Sequence, residues 1–423
     1  MVKVFSNSWA LLLGMLLLMV GNGLQGTLLG IRGEIEGFST SSMSLVMSAY
    51  FLGFLGGSRL APRMIRRVGH VRVFAALASF ISAVLILYPT WANPYVWAVE
   101  RVIIGFCFSG VYVAAESWLN NDSTNDTRGQ ALSAYMIVQM VGIVLAQMLL
   151  LVADPSGYVL FVIPSVLVSI SFAPILLSIS PTPAFDSTKP MSLRDLVKIS
   201  PLGCVGMFLL GGVFSAQFGM SAVYGAEVGL SVAQISMFAA TFYIFATLLQ
   251  YPLGWLSDRM DRRLLILLTA LVAASGAFLG YFFSHNYIYL LVAAGLIGGF
   301  SNPLYSLLIA HANDYLDFDD MAAASGGLVF ITGVGAIAGP VVIGWVMEQI
   351  GPHGYFGVTA FLLCAMAAYA GYRMTQRSAI AVDETASYMP LSPGASVVAV
   401  ELAQEHAIDV AKENSKSIDA EVN

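Results

Sequence analysis

Apolar residues along this chain come in runs of about 20, parted by short clusters of Gly, Pro, Asn and charge. A helix rises 1.5 Å per residue, so such a run reaches ~30 Å, the thickness of the hydrocarbon core of a bilayer. The pattern predicts twelve membrane-spanning helices, centred near Leu17, Ala49, Ser82, Ser109, Val141, Val168, Gly212, Phe245, Ser275, Leu296, Ile337 and Met366. The first run, from about Trp9 to Leu29, is too long for the apolar core of a secretory leader and shows no clear small-residue cleavage site. It is expected to remain as a span.

The polar breaks organise the rest. Residues 178–200 introduce prolines and charges, which predicts a cytoplasmic linker over 180–200 between six-helix bundles at 1–179 and 201–374. From residue 375 to 423 the chain is polar, and this tail is expected to be a solvated cytoplasmic appendage. Within it, Ser378–Met389 reads as disordered and Val397–Lys412 as a weak amphipathic helix.

Composition narrows the class. Hydrophobic residues make up 58% of 423 positions and charged residues 10%, so the chain is read as an integral membrane protein. The net charge of −6 arises in the tail, whose acids outnumber its lysines, and nothing resembles a nucleic-acid footprint. Cys107, Cys204 and Cys364 lie within apolar runs and lack metal-ligand spacing, so no metal and no cofactor are expected. Lys and Arg gather at Lys3, Arg59–Arg72, Arg128, Lys189–Lys198, Arg259–Arg263 and from Arg373 onward. With an even number of spans, this asymmetry puts both termini in the cytoplasm.

The halves repeat. A shift of 192 sets Gln25 on Gln217, Gly33 on Gly225, Gly37 on Gly229, Ser39 on Ser231 and Arg67 on Arg259. A shift of 193 sets Gly105 on Gly298, Tyr112 on Tyr305, Asn120 on Asn313 and Gly142 on Gly335. Two like-oriented copies imply a pseudo-two-fold axis along the membrane normal with a pathway between them.

Few ionisable groups lie at membrane depth, where each costs roughly 2.5–3.5 kcal/mol unless paired or hydrated. Arg101 and Glu116 share one predicted helix but are about 22 Å apart along it, too far to pair. Arg101 either serves the polar pathway or snorkels to the interface. The 193 shift brings Glu116 and His311 to similar depth, so a Glu–His pair passing a proton is one expectation and two helix-end caps the other.

Gly254-Trp255-Leu256-Ser257-Asp258-Arg259-Met260-Asp261-Arg262-Arg263 closely resembles the loop signature of the major facilitator superfamily, with Asp261 where that family usually has Gly. Arg101–Gly105 resembles its fourth-span motif, which in proton-coupled members is associated with energy coupling. Gly333–Pro340, with Gly335, Gly339 and Pro340, resembles its glycine–proline signature, here in the eleventh span and with helix packing as the plainer reading. The runs Glu116–Asn120 and Pro303–Asp314 look like a bacterial branch, the YcaD-like transporters.

That resemblance implies an all-α fold of two six-helix pseudo-repeats in the bacterial inner membrane, working as a monomer by alternating access. It places spans one, four, seven and ten around a cavity, making Gln25, Tyr112, Gln217, Asn302 and Tyr305 candidate substrate contacts. Interhelical glue is the equally simple account of these polar groups. Arg101, Glu116 and His311 become candidates for proton and charge coupling. Gly254, Asp258, Arg259 and Arg263 become a latch at the inner gate, while Tyr50 and Tyr243 are expected to pack.

No nucleophile elbow, metal-ligand cluster or phosphate-cradling loop is present, which argues against an enzyme and against ATP drive. The expectation is secondary active transport of a small solute, proton-coupled, with the lipid bilayer as surroundings. The alternatives are an amphiphile or drug exporter, which an aromatic and Met-lined cavity would favour, and a non-transporting sensor or scaffold that signals through the tail.

Overall fold

The computed structural model describes residues 2–121, 125–177, 191–378, 380, 385, 387–405 and 408, without the side chains of 2–7, 121, 125, 126, 318, 319 and 322. Part of the expected linker (180–190) and the end of the tail (409–423) lie outside the described residues.

Twelve long helices are present among the described residues: α1 Val2–Ile35, α2 Thr40–Val68, α3 His70–Leu87, α4 Pro94–Asn121, α5 Asn125–Leu149, α6 Val159–Leu176, α7 Pro201–Glu227, α8 Val232–Ser257, α9 Arg262–Phe283, α10 Tyr287–Asn313, α11 Phe318–Ile350 and α12 Gly354–Gln376. Eleven are long and apolar enough to cross a membrane. The exception is α2, whose serines, glycines and four arginines (Arg59, Arg63, Arg66 and Arg67) lower its hydropathy, yet it packs within the bundle like the others. A short helix, Leu193–Ile199, capped by Ser192, precedes α7.

Local chemistry sets the helix ends, and it sets them twice. Gly37 ends α1 at φ 73°, and Gly229, 192 positions on, ends α7 at φ 74°. Positive φ suits a residue without a Cβ. Ser39 then caps α2 by accepting from the Ser42 amide, while Ser231 caps α8 by accepting from Gln234, whose side chain closes the capping box. At the next junction the copies diverge. Gly69, at φ 88°, separates α2 from α3, whereas its counterpart Asp261 caps α9 and accepts from the Arg263 amide. The departure from the usual loop signature therefore exchanges a glycine turn for a side-chain cap.

Packing repeats too. In the first half α2 lies on α4, α1 on α5 and α6, and α3 on α4 and α6; in the second, α8 lies on α10, α7 on α11 and α12, and α9 on α10 and α12. A Cβ on Gly105 would come 1.9 Å from the Tyr50 carbonyl oxygen, and one on Gly298 would come 2.3 Å from that of Phe242, the residue 192 positions after Tyr50. On α11, a Cβ on Gly335 would meet the Phe208 carbonyl at 1.9 Å and one on Gly339 the Ser215 hydroxyl at 2.2 Å, so the glycine–proline signature packs α11 onto α7.

The halves meet along α2 and α11, along α5 and α8, and where α1 crosses α7. Toward the α1–α2 turn they are fastened by Ser48 Oγ donating to the Ile337 carbonyl (2.6 Å), Thr40 to Glu227 (3.2 Å) and the Ser41 amide to Glu348 (2.9 Å). Toward the basic loops at α2–α3 and α8–α9, the tail lies between the halves, and Arg59 of α2 stacks on the Phe330 ring of α11 at 4.3 Å.

The tail corrects the expectation of a solvated appendage. Leu391, Ser396, Ala399, Val400 and Leu402 are buried against the bundle, and residues 397–405 are helical. Burying its leucine and valine side chains contributes about 1.5–3 kcal/mol each, which favours docking over solvation.

Replacing Gly105 by Val should overpack the α2–α4 contact and cost about 1–3 kcal/mol or more. The expected readout is a lowered midpoint in thermal unfolding of the detergent-solubilised protein, whereas Gly56→Ala, with only the Phe106 ring at 3.7 Å, should leave it in place.

Candidate transport cavity

A cavity lies between the halves, walled by aromatics from α2 (Tyr50, Phe51, Phe54), α7 (Phe214, Phe218) and α8 (Tyr243), with Met19 and Met140 beside them. The Phe218 ring bridges the halves, its centroid 5.3 Å from Tyr50 and 5.9 Å from Phe214. Tyr50 and Tyr243 are therefore cavity walls, which corrects the expectation that they only pack.

Polar groups enter from each half in a matched way. On the first side Arg101 Nη1 donates to Gln25 Oε1 (2.7 Å), Gln25 Nε2 to Asn22 Oδ1 (3.1 Å), and Asn22 Nδ2 to the hydroxyls of Tyr112 (2.9 Å) and Tyr50 (3.3 Å). On the second side Asn302 Nδ2 donates to Gln217 Oε1 (2.7 Å), and Gln217 Nε2 to the Ser301 hydroxyl (2.7 Å). Asn22, Tyr112, Asn302 and Tyr305 line the cavity. Gln25 and Gln217 stand behind Asn22 and Asn302 as orienting amides. Gln217 sits in a π-helical turn, Ala216–Met220, a local widening that recurs at functional sites.

Arg101 is fully buried, which excludes snorkelling. Its guanidinium lies 4.8 Å from the centre of the Tyr50 ring, Nη2 is 3.3 Å from Met47 Sδ, and Nε has no hydrogen-bond partner. Among the described residues no carboxylate pairs with it. Amide, ring and sulfur thus stand in for a counter-ion, so Arg101 polarises the chain that ends on Asn22 and the two tyrosines.

Glu116, also buried, lies farther along α4. Oε1 accepts from the Tyr135 hydroxyl (3.1 Å), and Oε2 accepts from the amide (3.2 Å) and the hydroxyl of Ser396 in the tail. His311 keeps different company. Its ring meets Tyr315 edge-on at 5.1 Å and borders a small cleft with Arg263, Arg373 and Arg377. The expected Glu116–His311 pair is not formed, because similar depth on two helices leaves their rotation about their own axes unspecified.

The latch signature is also redistributed. Arg259 stacks on Trp255 (4.2 Å) and donates to its carbonyl (3.0 Å), an exposed arrangement within one helix turn. Arg262 makes the buried ion pair with Asp314, and its Nη2 is 3.5 Å from Asp258. Arg263 pairs with Asp261 (2.8 Å) and donates to the Arg377 carbonyl (2.6 Å). Asp258 accepts from the Tyr388 amide (3.0 Å), and a Cβ on Gly254 would come 2.5 Å from the Tyr388 ring. These contacts fasten α8, α9, α10 and the tail together rather than spanning the halves directly.

A family profile of the major facilitator superfamily matches residues 11–225 and 202–393. The chain belongs to that superfamily. It is 28% identical over 357 residues to an uncharacterized MFS-type transporter, YcaD, of Escherichia coli O45:K1 (strain S88 / ExPEC), covering 82% of this chain and 90% of the relative. An uncharacterized MFS-type transporter of Yersinia pestis (strain Pestoides F) is 26% identical over 351 residues, covering 80% and 88%. Among solved structures, a mutant of the nucleoside transporter NupG superposes with TM-score 0.74 at 14% identity, covering 86% of this chain and 99% of that one. The D-xylose-proton symporter superposes at 0.69, also at 14% identity, covering 87% and 97%. At such identity these structures establish the fold. Membership of the superfamily makes the chain a multi-pass membrane transporter and not an enzyme, similar to the YcaD-like branch.

Because Arg262 and Asp314 are both buried, Arg262→Gln should leave the carboxylate without its cation and destabilise the protein by about 3–5 kcal/mol. Arg259→Gln, at an exposed stack, should leave the unfolding midpoint unchanged. Thermal unfolding of the two variants in detergent checks the contrast.

Proposed function

We propose that this transporter moves a small solute across the bacterial inner membrane by alternating access, driven by the proton gradient, with the basic loops and both termini in the cytoplasm. The observation that carries the reading is the cavity itself. Both halves wall it, an amide from each half presents a polar edge to it (Asn22 and Asn302), and helix-to-helix bonds close its far end while the tail fills the space between the halves at the basic end. Rocking the halves about the α2–α11 and α5–α8 contacts would expose the same groups to either side.

In this reading Tyr112, Asn302 and Tyr305 contact the cargo together with Asn22, and Gln25 and Gln217 orient the asparagines. Arg101 sets the electrostatics of the first-half chain. Glu116, buried among neutral donors, carries the proton, whereas His311 faces away from the cavity and is left out of the coupling. Asp258, Gly254 and Arg263 anchor the inner gate through the tail.

The lining favours a particular cargo and direction. Aromatic rings and methionines with a few neutral hydrogen-bonding groups suit a flat or amphiphilic solute bearing amide or hydroxyl groups. Export of such a molecule is the second reading, since a wall of this kind binds by apolar contact more than by charge.

A thermal-shift screen in detergent supplies a binder, and proteoliposomes then test the drive. An imposed pH gradient should move that cargo against its concentration, and a protonophore should abolish the effect. Glu116→Gln should lose gradient-driven accumulation while still exchanging cargo down its own gradient. Accumulation indifferent to both gradient and protonophore would end the assignment of protons as the driving ion.

A further inference from the structure

In the transport reading the tail serves only as an anchor of the gate helices, yet it also reaches the cavity. Ser392, Pro393, Gly394 and Ala395 form part of the cavity wall itself, on its basic side. From there the chain is held by buried polar groups on both halves. Ser306 accepts from the Leu391 amide (2.8 Å) and donates back to its carbonyl (3.2 Å). Gln404 donates to Asn313 (2.9 Å), and the Tyr388 hydroxyl accepts from Gln250 (2.7 Å). On the first half the anchor is Glu116, which takes both donors of Ser396. At the rim, Arg128 of α5 pairs with Glu405 at 3.4 Å.

We propose that residues 388–405 are a built-in plug, a peptide ligand of the transporter's own cavity mouth that holds the two halves in this closed arrangement and blocks passage until it withdraws. The proposal rests on the reading of the cavity as a transport pathway, with its basic end toward the cytoplasm.

Three features mark a built site rather than a chance contact. The segment buries apolar residues and satisfies polar ones together, as a docked peptide does and a solvated tail does not. Its partners come from α4 and α5 on one side and from α8 and α10 on the other, so it cannot stay bound while the halves part at that end. Finally, Gly254, a residue of the family loop signature, is the place where a side chain would collide with Tyr388. Glu116 is then shared: while it accepts from Ser396, its carboxylate has no free face toward the cavity. Withdrawal of the plug and release of Glu116 become one event.

The test needs no cargo. Single cysteines at Ser58→Cys and Thr332→Cys, one on each wall of the cavity, are placed in full-length protein whose Cys107, Cys204 and Cys364 are changed to Ala. Labelling by a charged maleimide in detergent is timed with and without Ser396→Glu, which sets a second carboxylate against Glu116. The expected result is at least a tenfold faster reaction at both positions in the Ser396→Glu protein. Equal rates in two monodisperse proteins would overturn the plug.

Hydrogen–deuterium exchange on the unaltered chain guards against a variant that misfolds. The amides of Leu391 and Ser396 should exchange at least a hundredfold more slowly than in a free peptide, and exchange at the free-peptide rate would equally overturn the proposal. If the transport reading alone fails, no cargo moves with or without Ser396→Glu, yet the labelling contrast remains.

Discussion

A guanidinium and a carboxylate are buried on one helix, too far apart to meet, and among the described residues neither of them has a salt bridge. Removing such groups from water costs several kcal/mol each unless other dipoles replace the lost hydration. The surroundings of Arg101 and Glu116 follow from that need. Around Arg101 the replacement is an amide, a sulfur and an aromatic face. Around Glu116 it is a tyrosine hydroxyl and the peptide edge of the tail. Each solution recruits a different part of the chain, so the two charges tie α1, α2, α5 and the tail to α4.

Glycine makes these distances reachable. Gly53 and Gly105 let α2 and α4 touch backbone to backbone, which carries Tyr50 under the Arg101 guanidinium. The second half repeats the contact with Gly298 but places Phe242 where Tyr50 stands and Tyr305 where Tyr112 stands. Its polar chain is consequently shorter and neutral, running from Ser301 through Gln217 to Asn302. The two halves share a scaffold and differ in charge, which gives the cavity one electrostatically active wall and one passive wall.

Much of this is legible in the sequence. The apolar runs and the 192-residue repeat are signals of the sequence alone, and two of its matched pairs, Gly37 with Gly229 and Ser39 with Ser231, stand at equivalent helix ends in the structure. Gln25, Gln217 and Arg101 stood out because polar groups at membrane depth need partners. Asn22 lies in the same apolar run as Gln25, but nothing local marks its place at the end of the Arg101 chain. Tyr50, Tyr243 and Tyr135 carried no signal, since an aromatic residue in an apolar helix reads as packing wherever it falls. Arg262 stood inside the recognised loop signature, but its partner Asp314 lies 52 positions away.

The sequence by itself determined the twelve long helices found among the described residues, how the halves correspond and which few groups must find partners. Those features depend on residues near one another along the chain and on hydropathy summed over a span. Only the tertiary structure decided which face of each helix meets the cavity, because helices apolar all round carry no polar stripe to fix their rotation. It also decided that the tail returns to Glu116, 280 positions from Ser396. A short apolar stretch inside an otherwise polar tail is buried only when a matching cleft exists, and that cleft is formed by both halves together.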